Sequence, residues 1–446
     1  MGAGSPASGK SVAFRELIDF DDGGTKRMIA VGQIAPRLGN LILAPNATPH
    51  GVAAWNGLAW STLVGSSGRY VSEGSAGTLH HNGSSTDLYV AGLIADGQAE
   101  IKGIARWDGS DWTVIVTLGT HDVVRAMASY AGDLFFGGVL YDAIEQRHFL
   151  GRWSAGTAFD RDYFPASEGT LFIVNDLIGF TSNGTERVWC AVSRDSTNGT
   201  SRVYRLDLVA GRPFVEEIVD DESASDTRTL EVDTTTDPAS LVVGGDATTK
   251  GAVLRRVPPN GQGAGAWERA APSNWLTGSG VWALKLLPVG GGLRLVAGGV
   301  NMVIADDEDE SFIGPGLVSL DPQGRWEVSL GQPSYNGEDT EDALVTALCV
   351  YTDDCGDAYV MVGGEYFGVY LAGEDRSIEC SKIAGFGPDK GDFNCDFSID
   401  FFDYNDFLLC FEEAVCPGGV TADFNCDGFA DFLDLDMFLF WFAPPE

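Results

Sequence analysis

Ten side-chain oxygen groups near the C-terminus have a spacing suited to one chemistry, the capture of a hard cation. Asp392, Asn394, Asp396, Asp400 and Asp403 fall at positions 1, 3, 5, 9 and 12 of a twelve-residue stretch. Asp423, Asn425, Asp427, Asp431 and Asp434 repeat that spacing 31 residues later. A loop so spaced can close on a calcium ion, which takes about six to eight oxygens; a carbonyl at position 7 and a water complete the shell. Ser398 and Phe429 stand at position 7. The pattern predicts two bound calcium ions. Position 6, where such a loop turns sharply, is Gly428 in the second copy but Phe397 in the first, which predicts a weaker first site.

The residues after each loop repeat too. Phe401, Phe402, Tyr404, Phe407, Leu408 and Phe411 match Phe432, Leu433, Leu435, Phe438, Leu439 and Phe442. Positions 404, 407, 408 and 411 have the i, i+3, i+4, i+7 spacing of one helix face. A helix of about three turns does not persist alone in water. The two aromatic faces must therefore bury each other once ions set the loops, so metal binding is expected to be coupled to folding. Residues 388–446 resemble a dockerin, a small module of two calcium loops and two helices. The resemblance is greatest to the cysteine-bearing, Phe-rich dockerin-like C-termini of planctomycete-type secreted proteins. It implies two calcium ions on the ten residues above and the carbonyls of Ser398 and Phe429, and a cohesin-like or other anchoring partner. Cellulosomal dockerins carry small or polar residues at positions 10 and 11, where they read the cohesin. Here Phe401-Phe402 and Phe432-Leu433 stand there.

The whole chain has 446 residues and a formal net charge of −36, and residues 388–446 hold fourteen acids against one Lys. A surface this acidic repels nucleic acid and anionic membranes and attracts divalent cations. Hydrophobic content of 44% is enough for a large core. Seven of the eight cysteines lie in the last hundred residues, none in a CxxC pair and with little His nearby, which argues against zinc. Cys349 with Cys355, and Cys410 with Cys416, are spaced for local disulfides. Disulfides and calcium together point outside the cytoplasm. Residues 1–10 are rich in Gly, Ser and Ala, read as disordered, and show no signal-peptide apolar core. Met437 to Ala443, an apolar run, is too short to span a bilayer.

Residues 11–387 read as a strand array with an internal repeat. A β-rich run ends in small residues at Val90-Ala91-Gly92, Phe136-Gly137-Gly138, Val243-Gly244-Gly245, Ala297-Gly298-Gly299 and Val362-Gly363-Gly364. A second run, a turn and an aromatic residue follow. Those aromatics are Trp60, Trp112, Phe159, Phe214, Trp267 and Trp326, separated by 52, 47, 55, 53 and 59 residues, with Ile378 as a seventh. About 50 residues per four-stranded unit is the period of a β-propeller blade. The expectation is an all-β chain, a propeller of seven blades, followed by a small α-helical module. The Gly doublet with a spaced aromatic is similar to kelch repeats. Trp107-Asp-Gly-Ser-Asp-Trp112 looks like the repeats of secreted bacterial kelch-like propellers.

Other candidates for chemistry are weaker. His80 and His81 are adjacent on a strand and so face opposite ways. Cys190 is the only Cys before residue 349, and nothing marks it as a copper ligand. No Gly-x-Ser-x-Gly elbow precedes a helix. Asp306–Glu310 reads as a solvated loop, with an extra calcium site as the sharper alternative. Trp275 and Trp282 fall off the repeat. With 64 acids, pairs of carboxylates at glycosidase spacing will arise by chance. The sequence thus predicts a secreted, non-enzymatic protein. Its propeller presents a face to a glycan or protein, and its dockerin-like module holds it to a partner or cell surface. The alternative is a carbohydrate-active hydrolase or lyase with its site in the propeller funnel, and a third is a structural part of a surface layer. An enzyme should show a deep central pocket lined by convergent acids of shifted acidity.

Overall fold

A computed structural model describes the strands between residues 13 and 386, most of the turns from 60 to 165, and residues 401–413, 422, 430 and 432–442. The first region is a β-propeller with six blades, each an antiparallel sheet of at least four strands. The first strand of each sheet lies nearest the centre: β1 (Ala13–Asp21), β2 (Tyr70–His81), β3 (Val123–Tyr130), β4 (Leu171–Ser182), β5 (Thr227–Asp233) and β6 (Val281–Val289). A further, three-stranded sheet begins with β7 (Leu344–Thr352) and continues with Ala358–Glu365 and Ile383–Phe386. It packs against β6 on one side and β1 on the other, so the ring is closed. Thr346 Oγ1 donates to the Phe14 carbonyl at 2.7 Å across that closure.

The repeated aromatics sit where their spacing places them. Trp60, Trp112 and Trp326 lie on the fourth strand of their sheets, and Trp112 is fully buried. Trp112 stacks at a tilt on Trp107 at 5.2 Å, and its indole N–H donates to the Leu63 carbonyl of the preceding blade at 3.0 Å. The turn between these two Trp is shaped by Asp108, whose Oδ1 accepts from the Ser110 and Asp111 amides at 3.0 and 2.9 Å. Those bonds hold the Asp108 carboxyl below its ordinary pKa. Ile378 departs from the expectation. It lies on a short strand, Ser377–Glu379, in a separate three-stranded sheet with Gln332–Ser334 and Gly368–Tyr370. The chain there makes an added hairpin between the second and third strands of its sheet. The sixth blade has an equivalent, Met302–Asp306 with Glu310–Gly314, flanking the acidic run.

The glycine doublets have two separate tasks. The first Gly lets the next sheet approach: a Cβ on Gly298 would lie 2.4 Å from Val345 Cγ1, and one on Gly137 2.8 Å from Val174 Cγ1. The second Gly faces a β-bulge on its own first strand. A Cβ on Gly138, Gly245 or Gly364 would lie 2.0 Å from the carbonyl oxygen of Val123, Asp226 or Leu344. On the strand paired with β4 the doublet is replaced by Ala191-Val192, opposite Asp176 and Val174.

In the C-terminal region α1 (Phe401–Glu413) and α2 (Phe432–Phe442) form where the apolar spacing predicts helices. Phe407 and Phe438 are fully buried and stack face to face at 4.1 Å, with Cys410 and Ala422 beside them. Asp403 lies in α1, and Asp434, in the first turn of α2, is buried. Asp392, Asn394, Asp396, Ser398, Asp400, Asp423, Asn425, Asp427, Phe429 and Asp431 lie outside the described residues. So do Cys355 and Cys416. The expected Cys349–Cys355 bridge is not formed: Cys349 is a free thiol buried on β7, facing the propeller interior rather than a hairpin tip. Among the described residues no helix is long and apolar enough to cross a membrane.

Candidate functional site

The first strands enclose a central cavity of about 1130 Å³, lined by residues from β1 to β7. One backbone feature shapes its lining. Each first strand slips register against its neighbour near its start, leaving one residue unpaired. On β1 this is Arg15, between Phe14 and Glu16; on β3 it is Arg125 and on β4 Asn175. On β5 it is Arg228, on β6 Trp282 and on β7 Thr346. On β2, which slips twice, the equivalent residue is Ser75. A bulge of this kind sets two residues opposite one and re-aims side chains that simple alternation would turn into the sheet. All seven of these residues line the cavity. Six polar side chains and one indole therefore make a single layer around the axis.

A layer of ionisable groups follows it. Glu16 and Asp176 come one residue after the bulges of β1 and β4; Glu231 and Lys285 come three after those of β5 and β6. Burial, then the nearby charge of Asp176, raises Glu16 to about 8, with Lys285 opposing. Burial also raises Asp176, to about 6, against hydrogen bonds that favour its charged form. Those bonds come from the Leu177 and Leu230 amides, both at 2.7 Å, and the second ties the fourth blade to the fifth. Glu231 is raised by burial although Lys285 Nζ stands 3.7 Å from its Oε2. Burial would lower Lys285, but Glu231 leads a set of neighbours that raises it overall. The Lys285 side chain is 44% exposed, but it lines the channel, so protein still surrounds its charge.

The other sequence candidates fall outside this cluster. His80 is buried and its Nδ1 lies 2.8 Å from Ser129 Oγ of the next blade, while His81 is exposed; the two imidazoles part as strand alternation requires. Cys190 is buried among apolar side chains, and burial pushes its thiol far up. Burial likewise pushes Cys349 up to about 12, so both are poor nucleophiles. Trp275 stacks under Arg269 at 3.7 Å, away from the cavity lining. Trp282, off the repeat in sequence, proves to be a bulge residue of the channel. The channel residues do not stand out in the sequence, because the Gly doublets and aromatics that mark the repeat lie on other strands. A signal was available. Val124-Arg-Ala126, Val281-Trp-Ala283 and Val345-Thr-Ala347 are copies of one short motif, and Phe14-Arg-Glu16 and Thr227-Arg-Thr229 are its divergent forms.

No protein-family model matches this sequence, and no curated protein does. Several solved structures align with it at low similarity. The extracellular domain of BT4673 from B. thetaiotaomicron is 12% identical over 81% of this chain, with a TM-score of 0.46; the match spans only 38% of that chain. BBS1N, solved in complex with ARL6DN, is 12% identical over 86% of this chain and 95% of its own, with a TM-score of 0.45. A GH43 β-1,3-galactosidase, BT3683, solved with galactodeoxynojirimycin, is 10% identical over 59% of this chain and 89% of its own, with a TM-score of 0.30. Likeness at this level concerns architecture alone.

Proposed function

We propose that this chain is a secreted binding protein whose propeller takes a ligand at the central channel and whose C-terminal pair of calcium loops docks to an anchoring partner. The observation that carries the binding role is the bulge repeated on every first strand, which concentrates polar side chains in one layer of one cavity. Packing alone would favour apolar residues at those positions. In this reading the three-stranded sheet counts as a seventh blade, since β7 has the same bulge as the other first strands and faces a Gly pair as β3, β5 and β6 do.

The dockerin-like reading of residues 388–446 draws support from the helix pair. Phe401 and Phe402 are 71% and 65% exposed, and Phe432 and Leu433 are 77% and 61% exposed. Two matching apolar pairs in water form a duplicated contact surface of the sort that a protein partner covers. Calcium would be held by Asp392, Asn394, Asp396, Asp400 and Asp403 and by their equivalents in the second loop. Stripping calcium with a chelator should melt α1 and α2, seen as lost helical circular dichroism, while the strand signal stays. Unchanged helical signal on chelation, and in the Asp392→Ala/Asp423→Ala variant, would count against this half of the reading.

A hydrolase in the same channel is the second reading, favoured by Glu16 and Asp176. Two carboxyls whose pKa values are raised to unequal extents are what general acid and base catalysis uses. The assay is release of reducing ends from polysaccharide by the full chain, with Glu16→Gln as control. Release abolished by that substitution would favour the enzyme; no release would leave the binder.

A further inference from the structure

We propose that the bulge layer is an anion-recognition site for a carboxylate carried by a saccharide that enters the channel. This rests on the channel-binding reading above and narrows it to a ligand class. In a chain of net charge −36, the seven bulge positions include three arginines, Arg15, Arg125 and Arg228. Such a concentration of cation in one layer opposes the charge of the rest of the molecule.

Most polar groups of the layer are already bonded. Arg228 pairs with Asp246 at 2.8 Å and lies over the Trp282 ring at 3.9 Å. Asn175 Nδ2 donates to Ser193 Oγ and to the Thr227 carbonyl, Ser75 Oγ to the Ala91 carbonyl, and Thr346 to Phe14. Three donor groups are left over. Arg15 and Arg125 are exposed to the channel and form no hydrogen bond or ion pair among the described residues. The Trp282 indole N–H is buried without a hydrogen-bond partner. The two free guanidiniums also stand close enough to repel. Burial first, and then the charge of Arg15, lowers the pKa of Arg125. An anion between them would relieve that repulsion.

The ligand class follows from the donors. A guanidinium presents two parallel N–H groups that match the two oxygens of a carboxylate. The half-buried Trp282 indole, which carries Arg228 over its ring at 3.9 Å, lines the same channel and leaves apolar ring surface suited to a sugar. Six carboxyls also line the channel: Glu16, Asp19, Glu73, Asp176, Asp226 and Glu231. Glu73 Oε1 already accepts from Gln33 Nε2 at 2.5 Å. Glu16 keeps its proton at neutral pH, so next to Arg15 it offers a donor rather than a repelling charge.

The test is calorimetric titration of the full chain at pH 7 and low salt with trigalacturonate, with galactotriose as its neutral counterpart, and with inorganic sulfate. Saturable binding of trigalacturonate, weaker binding of galactotriose, and at least about a tenfold loss of affinity in the Arg15→Ala/Arg125→Ala variant are expected. Arg125→Lys should retain part of the affinity, since it keeps charge and loses the fork. The double variant should melt no lower than the parent, because it removes a repulsion; this separates lost binding from lost fold. Equal binding of trigalacturonate by parent and double variant would overturn the inference. So would binding of sulfate alone, or of neither anion. If galactotriose binds tightly and the arginine variants bind it unchanged, the channel still takes a ligand and only the anionic class is wrong.

Discussion

Glu16 makes the stability of this protein depend on pH in a stated direction. Its folded-state pKa of about 8 lies above the ordinary 4.5, so between those values the native state holds more protons than the unfolded one. Stability contributed at this group is then fully present below the lower value and declines as pH rises to the upper. Glu16→Gln should melt above the parent at pH 8 to 9 and converge with it near pH 4. A difference in melting temperature that is constant with pH would reject the assignment. Asp176, raised to about 6, adds the same sign over a lower window, but its two amide contacts make Asp176→Asn a poor replacement. At Trp112 the issue is volume. Its side chain is fully buried and bonded to the preceding blade, so Trp112→Ala should cost about 3–5 kcal/mol in chemical denaturation.

At the scale of the strand, the bulge and the second glycine of each doublet form one unit. The bulge pushes a carbonyl of the first strand toward the second, and in every blade but the fourth, where Val192 stands, a residue without Cβ lies beneath it. Gly245→Ala would place a methyl 2.0 Å from the Asp226 oxygen, which neither strand can yield without breaking its ladder. A loss of about 3 kcal/mol is expected. Gly132→Ala is the informative contrast. Its Cβ would meet nothing within 4 Å, and only its φ of +85° resists the change, at about 1–2 kcal/mol. Melting of the two variants side by side ranks clash against backbone strain. A larger loss at Gly132 would mean that the bulge is softer than its contacts indicate.

For the whole molecule the decisive contact joins sequence positions 332 residues apart, where Thr346 donates to Phe14. A ring of sheets has no exposed inner edge once closed, and each sheet buries both faces on its neighbours. Thr346→Val keeps shape and removes the donor, so it should cost about 1 kcal/mol and lower the cooperativity of unfolding. The helix pair has its own small core around Phe407 and Phe438. A chain so built should unfold in two steps in calcium and lose the helical step first in chelator, as scanning calorimetry can read. A single transition that ignores chelator would contradict independent folding of the two parts.

Much of the architecture could be read from residue spacing, because propeller blades and helix faces repeat along the chain with fixed periods. The aromatics from Trp60 to Trp326, the doublets from Gly137 to Gly364 and the face from Tyr404 to Phe411 are local patterns, and local geometry is enough to set strand, turn and helix. Ile378 was misplaced for the converse reason. Its spacing fits the repeat, but an added hairpin carries it to another sheet, and pairing between distant strands decided that. The channel layer was hidden for a related cause. Arg15, Arg125, Arg228 and Trp282 lie more than 200 residues apart at the extremes and meet only because the ring closes and a bulge turns each side chain inward. Likewise Glu16 and Asp176 are ordinary carboxylates in an acidic sequence. Desolvation, and the proximity of one to the other, come from the closed ring, and those are properties of position in space rather than of order along the chain.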